Sequence, residues 1–168
     1  MFRLVLVVGV ASVLSGCAGV TPQTRNEFVQ ANVDGIAFSM VDTHTSNRSF
    51  EQVVKSLRQK SDECFNTNVT TTRTEGGVKT MNIKDEFRTT VRVLSGSKAE
   101  LTTQFTSKGV VYTQKVPDGG FYHRAVDIER ISPSATKLTY YGSRFASSKA
   151  AWSAIKQWAD GQASACPS

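Results

Sequence analysis

Two histidines are the side chains of this sequence that could move a proton near neutral pH. His44 lies in a short polar run. His123 lies in a predicted strand, 121–131, whose alternation places Asp127 and Glu129 on the same side as the imidazole. Such a row could support acid–base catalysis, or it could form a solvated face in which each charge has a cross-strand partner. We therefore assign no catalytic residue.

No other spacing in the chain matches a motif for catalysis or cofactor binding. The sequence has no Walker-type glycine loop, no G-x-S-x-G elbow, no H-E-x-x-H pair and no cysteine pair spaced for a metal. The sequence therefore contains no recognisable motif for nucleophilic or metal-assisted catalysis. We predict a protein that is not an enzyme and that uses neither a cofactor nor a metal site.

The first cysteine, Cys17, ends the run L-S-G-C, which follows an apolar stretch, 4–13, and one cationic residue, Arg3. This stretch is typical of an export signal, since a membrane-spanning helix needs roughly 20 apolar residues. The four residues resemble the lipobox of bacterial lipoproteins. The resemblance implies that the signal peptide, residues 1–16, is removed and that the Cys17 thiol carries a diacylglycerol. Plain secretion is the alternative.

The lipoprotein resemblance also implies a location in the cell envelope. Two or more acyl chains hold a protein stably on a bilayer, and Ala18, rather than the aspartate that favours inner-membrane retention, implies the periplasmic side of the outer membrane. Residues 17–33 are mostly small or polar. We predict that they form the lipidated amino terminus and a flexible tether, which at about 3.3–3.6 Å per residue would reach up to roughly 50 Å. The remainder, 34–168, is predicted to be one domain.

With Cys17 lipidated, Cys64 and Cys166 remain, an even number in a compartment that forms disulfides. A bridge between them would close a loop of about 100 residues. The chain-entropy model predicts that closing such a loop stabilises the fold by about 4.7 kcal/mol, less any strain in the folded state. The alternatives are a buried thiol beside a free one, or a metal pair, although two cysteines are too few ligands for zinc. We predict the Cys64–Cys166 disulfide.

The charge balance bears on partners. The chain has 20 Lys and Arg against 14 Asp and Glu, and its net charge of +6 falls to +5 when Arg3 is lost with the signal. The excess is spread along the chain without a run of five or six like charges, so it does not form a nucleic-acid footprint. We expect attachment to a membrane through the lipid, and an envelope protein or cell-wall component as partner. The oligomeric state is left open.

The hydrophobic pattern predicts an α+β domain. Alternation predicts a first strand at 35–43, followed by a polar turn through 47. Ser49 and Gln52 form a capping box for an amphipathic helix that ends near Phe65. From Asn66 the period changes to two, and recurrent turn signals divide the chain into about seven strands, near 67–74, 78–84, 86–94, 99–106, 110–116, 121–131 and 136–143. The short turns require an antiparallel meander.

A last helix begins near Ser147 or Ser148, and Trp152 and Trp158 share one of its flanks. Together with Tyr140, these tryptophans could form an apolar wall for a guest molecule, or they could fill a core between helix and sheet. Both interpretations remain open at the level of sequence.

The element order of strand, helix, meander and helix resembles the helix-grip arrangement of lipid-transfer domains related to the steroidogenic acute regulatory protein and of plant pathogenesis-related proteins. That resemblance implies two helices on one face of the sheet, with an apolar cavity beneath the last. The chain also resembles small proteobacterial lipoproteins, which imply no activity. We predict a lipid-anchored envelope protein with a non-catalytic binding or assembly module; the alternative is a carrier of an apolar ligand or lipid.

Overall fold

The computed structural model describes residues 21–36, 38–75, 79–108 and 115–167. Within these ranges it contains three helices, α1 (Arg25–Val33), α2 (Phe50–Cys64) and α3 (Ala146–Ala159). The strands are β1 (Ser39–Ser46), β2 (Thr67–Glu75), β3 (Lys79–Ser95), β4 (Lys98–Lys108), β5 (Phe121–Ser132) and β6 (Ala135–Ser143). They form one sheet in the order β1-β6-β5-β4-β3-β2, which confirms the α+β class.

The meander is confirmed as well. Strands β2 to β6 pair consecutively and antiparallel, and β1 pairs with β6 at the opposite edge from β2. The strand that precedes α2 therefore lies beside the strand that precedes α3. This is the predicted helix-grip order of elements.

The two strands predicted near 78–84 and 86–94 are one strand, β3. Asp85 pairs with Val69 of β2 and with Ser107 of β4, so the ladder continues on both sides of the expected break. A charged residue does not end a strand whose two neighbours both continue, and the predicted break is therefore wrong. The strand predicted at 110–116 falls mainly outside the described residues, and residues 115 and 116 belong to no strand.

The first strand begins later than predicted, because α1 ends immediately before it. Gly35 adopts a positive φ of 75° and donates its backbone N–H to the Asn32 carbonyl, which is a typical helix C-terminus. The polar residues after Val41 continue β1 up to Ser46 and do not form the predicted turn. Their partners in β6 supply the backbone hydrogen bonds that the local sequence does not reveal.

The predicted tether over 17–33 is wrong from Arg25 onward, since these residues form α1 and α1 packs on the sheet. The Phe28 ring stacks on Tyr122 at 5.8 Å, and Arg25 forms an ion pair with Asp127 at 2.5 Å. These partners lie on the face opposite α2 and α3. The helix was missed because its apolar residues follow no helical stripe, so tertiary contacts rather than local pattern hold it.

Helices α2 and α3 lie on one face, as predicted. The capping box of Ser49 and Gln52 is present in α2. In α3 neither candidate serine caps the helix; its N-cap is Phe145, and the buried Ser148 hydroxyl bonds with Ser143 instead. Within the described ranges, no helix has the length and apolar character needed to cross a bilayer.

Candidate functional site

A groove of about 590 Å³ runs between α2 and β3, at the end of the sheet where β3 turns into β4. We call it the α2–β3 groove. Its volume lies in the range of small-molecule sites, which is about 300–1,000 Å³. An apolar floor and charged rims share the lining, which consists of Phe50, Glu51, Val54, Lys55, Arg58, Gln59, Asp62, Val93, Ser95 and Gly96.

The groove exists because α2 covers only part of the sheet face. The centre of the apolar stripe of α2, Val53 and Leu57, is buried against the sheet, whereas Phe50 and Val54 lie at the edge of the stripe nearest β3. On β3, Val91 packs against the core, but Val93, two residues further on the same face, is 47% exposed. The floor of the groove is therefore an uncovered extension of the core.

Two arginines order the rims of the groove. The Arg130 guanidinium donates to the Glu51 carboxylate and, at 2.8 Å, to the Gly96 carbonyl, which joins α2 to the β3–β4 turn. Arg58 donates to the Val91 carbonyl at 3.3 Å from the side of α2. Because each guanidinium connects two elements, the charged groups that flank the floor are held in place.

The rim charges are balanced. A backbone hydrogen bond at the start of α2, helped by Arg130, lowers the pKa of Glu51, so this carboxylate is ionised at neutral pH. Asp62 supplies a second negative charge, and Lys55 and Arg58 supply positive ones. The groove therefore combines apolar contact with hydrogen bonds of both polarities. This combination suits a peptide segment with an apolar anchor better than a ligand of one charge.

The three aromatic residues considered as a ligand wall lie elsewhere. Tyr140, Trp152 and Trp158 are buried in the core between the sheet and α3. The rings of Tyr140 and Trp152 are 5.1 Å apart, and the Trp158 ring is 5.1 Å from Phe65. Trp152 also donates its indole N–H to Asp42 at 2.7 Å. These three side chains therefore lie in a packed core and do not line an open wall for a ligand.

Arg124 of β5 is a buried cation whose burial the alternation of that strand does not signal. Its guanidinium lies over the Phe65 ring at 4.6 Å, and its Nε and Nη1 atoms have no hydrogen-bond partner in the described part of the chain. Among the described residues no acidic side chain forms an ion pair with it. Burial lowers its pKa, and the nearby Tyr140 opposes that shift. An unpaired charge in a core is the kind of group that a ligand could satisfy.

The predicted row of one imidazole and two carboxylates is not formed. The register of β4 and β5 shifts between Thr103 and Gln104, and His123 is the extra residue of β5 at this bulge. The His123 ring therefore contacts the rings of Phe87 and Phe105 at 5.6 and 6.1 Å, while Asp127 binds α1 on the other face. Burial, together with the charge of Arg124, lowers the pKa of His123 to about 4.

His44 lies in β1, where its Nε2 atom is 3.0 Å from both carboxylate oxygens of Asp160 at the end of α3. The contact fastens the last helix to the edge strand. His44 therefore pairs with a carboxylate, whereas His123 contacts aromatic rings. Among the described residues, no group of three His, Cys, Asp or Glu side chains is placed to hold a metal ion.

The cysteine predictions divide into two parts. Cys64 and Cys166 form a disulfide with an S–S distance of 2.05 Å, which confirms that pairing and joins the end of α2 to the carboxyl-terminal tail. Cys17 and the predicted signal peptide, 1–16, lie outside the described residues. Lipidation of Cys17 stays a prediction from sequence.

Comparison with known proteins gives no family. No family model matches the chain, and no curated protein matches its sequence. Among solved structures, the chain is similar to a hypothetical protein from Helicobacter pylori, with 13% identity, a TM-score of 0.37 and coverage of 68% of this chain and 74% of that one. It is also similar to Ara h 8.0201, with 10% identity, a TM-score of 0.35 and coverage of 73% and 95%. At these values neither protein lends its role to this chain.

Proposed function

We propose that this protein is a lipoprotein of the bacterial cell envelope, held at the outer membrane by acylated Cys17, whose domain binds a partner through the α2–β3 groove. The groove carries the proposal. It leaves part of the apolar face of a well-packed domain open between ordered charged rims, while the interior beneath α3 is filled. The lipobox supports the location at the membrane, and the groove supports the binding role.

The chemistry of the groove favours a segment of a partner protein. Phe50, Val54 and Val93 offer a floor for one or two apolar side chains, and the rims offer both donors and acceptors to a peptide backbone. The exposed fraction of Val93 makes it the accessible centre of this floor. A periplasmic assembly factor that recognises an extended peptide or helix edge would use such a surface.

The anchor is tested by replacing Cys17 with serine. The wild-type protein should incorporate radiolabelled palmitate and fractionate with the outer membrane, because two or more acyl chains bind the bilayer stably. The Cys17→Ser variant should lose both properties. If the wild type takes up no palmitate and the variant fractionates as before, the anchor is excluded.

The groove is tested with a matched pair of valines. A photoreactive amino acid is placed at Val93, which is 47% exposed in the groove, or at Val41, which is 45% exposed on β1. Irradiation of intact cells should give a reproducible crosslinked protein from position 93 and not from position 41. Val93→Glu should abolish copurification of that protein, and Val41→Glu should not. Equal crosslinking at both positions would contradict a groove-specific partner.

The second candidate is a carrier of an apolar molecule between the sheet and α3. One observation favours it: within the described ranges, the buried Arg124 guanidinium has no acidic partner and the Nε1 atom of Trp158 has no hydrogen-bond partner. A guest with an apolar body and a carboxylate or phosphate would satisfy both groups. The packed rings of Tyr140, Trp152 and Trp158 oppose it, because they occupy the space that such a guest needs.

Native mass spectrometry of the mature protein separates the two candidates. A carrier should retain a copurifying lipid or acid of defined mass, which the Arg124→Met variant should lose. A binding module should show the mass of the acylated chain alone. A bound guest in the wild type would replace the groove proposal with the carrier.

A further inference from the structure

Four large apolar side chains are exposed together at one end of the domain, where β1 begins, β6 ends and α3 begins. Val33, Ile36, Phe38 and Phe145 are between 51% and 58% exposed. The rings of Phe38 and Phe145 stack at 5.4 Å, so they form a continuous surface with Ile36 behind them. We call this set the apolar end patch. Aromatic side chains gathered on a surface mark a contact with a membrane or a protein.

The fold holds Phe38 in this position against its conformational preference. Its φ is 65°, a left-handed conformation that is an outlier for a bulky aromatic residue. Backbone hydrogen bonds on both sides fix it, from Ser39 N–H to the Ile36 carbonyl and from Arg144 N–H to the Phe38 carbonyl. Strain at a solvent-exposed aromatic ring, rather than in the core, indicates that the exposure itself has a use.

The site of the proposed lipid is only a few residues from the folded domain. Only three residues separate Cys17 from Thr21, so even a fully extended chain spans no more than about 14 Å between them. Gln23 donates to the Lys115 carbonyl, and residue 115 belongs to the connection that leads into β5 at this same end of the sheet. Because α1 is docked on the sheet from Arg25 onward, the domain has no long tether and must stay close to the bilayer.

Two exposed cationic side chains lie beside Phe145. Arg144 and Lys149 are exposed next to Phe145, and neither forms an ion pair with an acidic side chain of the described residues. Asp34, the acidic residue at the end of α1, is hydrogen-bonded by Gln30 at 2.7 Å. Cations that flank exposed aromatic rings match the headgroup layer of a bilayer that contains anionic lipid.

We propose that the apolar end patch inserts into the headgroup layer of the bilayer that carries the Cys17 lipid. This inference rests on the proposed lipidation. It fixes the orientation of the domain: the patch faces the membrane, and the α2–β3 groove, at the opposite end of the sheet, faces away. The nine residues of β6 separate the two ends by about 30 Å. The groove is thereby presented to the periplasmic space.

The test uses the mature acylated protein in vesicles of phosphatidylethanolamine and phosphatidylglycerol that contain a lipid with a nitroxide headgroup. A fluorophore is attached at Ser147→Cys, beside the patch, or at Ser134→Cys, in the β5–β6 turn at the far end; both serines are exposed. Position 147 should be quenched and position 134 should not. Phe38→Ser combined with Phe145→Ser should remove the quenching at 147. The control, Leu94→Ser with Ile131→Ser, removes two equally exposed apolar residues elsewhere and should leave it unchanged.

Flotation of the same vesicles distinguishes this inference from the proposed function. Protein that floats with the vesicles but is not quenched at position 147 keeps its anchor and overturns the membrane contact of the patch. Protein that does not float overturns the anchor and with it this inference. The label at 147 could also be shielded from water without being quenched by lipid. If that shielding increased with protein concentration, a second copy would cover the patch, and the proposal would be overturned.

Discussion

The same face of the sheet is filled under α3 and open beside α2. Under α3, Trp152 and Trp158 interlock with Tyr140 and Phe65. Beside α2, the side chains nearest Val93 include Lys55 and Arg58, which are both exposed and line the groove without closing it. The difference shows that the side chains of the covering helix decide whether the sheet face is closed or left as an open groove. A helix with aromatic rings closes the face, and a helix edged with charged residues leaves a groove.

The strongest test of this comparison truncates one residue in each region. Trp158→Ala should lower the free energy of unfolding by about 3–5 kcal/mol, because it opens a cavity in a closed core. Val93→Ala, in the groove, should cost less than about 1 kcal/mol, because its side chain is already 47% exposed. Urea unfolding followed by tryptophan fluorescence, with circular dichroism for the tryptophan variant, measures both. Similar losses in the two variants would mean that the groove is part of the core.

The disulfide tests whether the filled region depends on the tail. Replacing Cys64 and Cys166 by serine should lower the free energy of unfolding by about 2–4 kcal/mol, because the bridge closes a long loop in the unfolded chain. The Val93 crosslink should survive, since the contacts of Arg130 and Arg58 hold α2 against the sheet beside the groove without the tail. A variant as stable as the wild type would show that the bridge adds nothing to the fold, and loss of the crosslink would show that the groove depends on it.

Some parts of this fold could be predicted from the sequence and others could not. The capping box of Ser49, the stripe of α2 and the period-two meander are local signals, and each was correct. Helix α1 was missed, because Phe28 and Arg25 find their partners, Tyr122 and Asp127, about 100 residues away. No window of sequence contains that information.

The site was less predictable than the fold. The disulfide followed from counting cysteines, but the groove depends on how far α2 lies from β3, which no motif encodes. The bulge at His123 reversed the side on which that ring projects, so a correct strand gave a wrong constellation. Exposure of Phe38 also depends on a backbone conformation that the sequence around it does not signal.

The pH dependence of stability is a smaller effect that reports on the aromatic cluster around His123. The imidazole is neutral in the folded state down to a pKa of about 4, whereas in the unfolded chain it binds a proton below about 6.5. The unfolded state therefore binds more protons between these values, and stability falls as the pH falls through this window. From about pH 7.5 to about pH 5, His123 should account for a loss of about 2 kcal/mol.

The variant His123→Phe isolates this contribution, because its ring can pack against Phe87 and Phe105 without titrating. Urea unfolding at both pH values should show a weaker pH dependence in the variant than in the wild type. The carboxylates titrate in both proteins and cancel in the difference. An unchanged pH dependence would mean that the His123 pKa is the same in the folded and the unfolded chain, which would contradict the effect of burial.

The smallest expected effect compares one arginine from each region. Arg124→Met should leave the free energy of unfolding unchanged or raise it by about 1 kcal/mol, because it replaces a buried, unpaired cation by an apolar side chain of similar length. Arg130→Met removes an ion pair at the end of the groove and should cost less than about 1 kcal/mol. A large loss in Arg124→Met alone would mean that the guanidinium is satisfied by a bound anion. The filled region would then be the binding site, and the comparison between core and groove would be reversed.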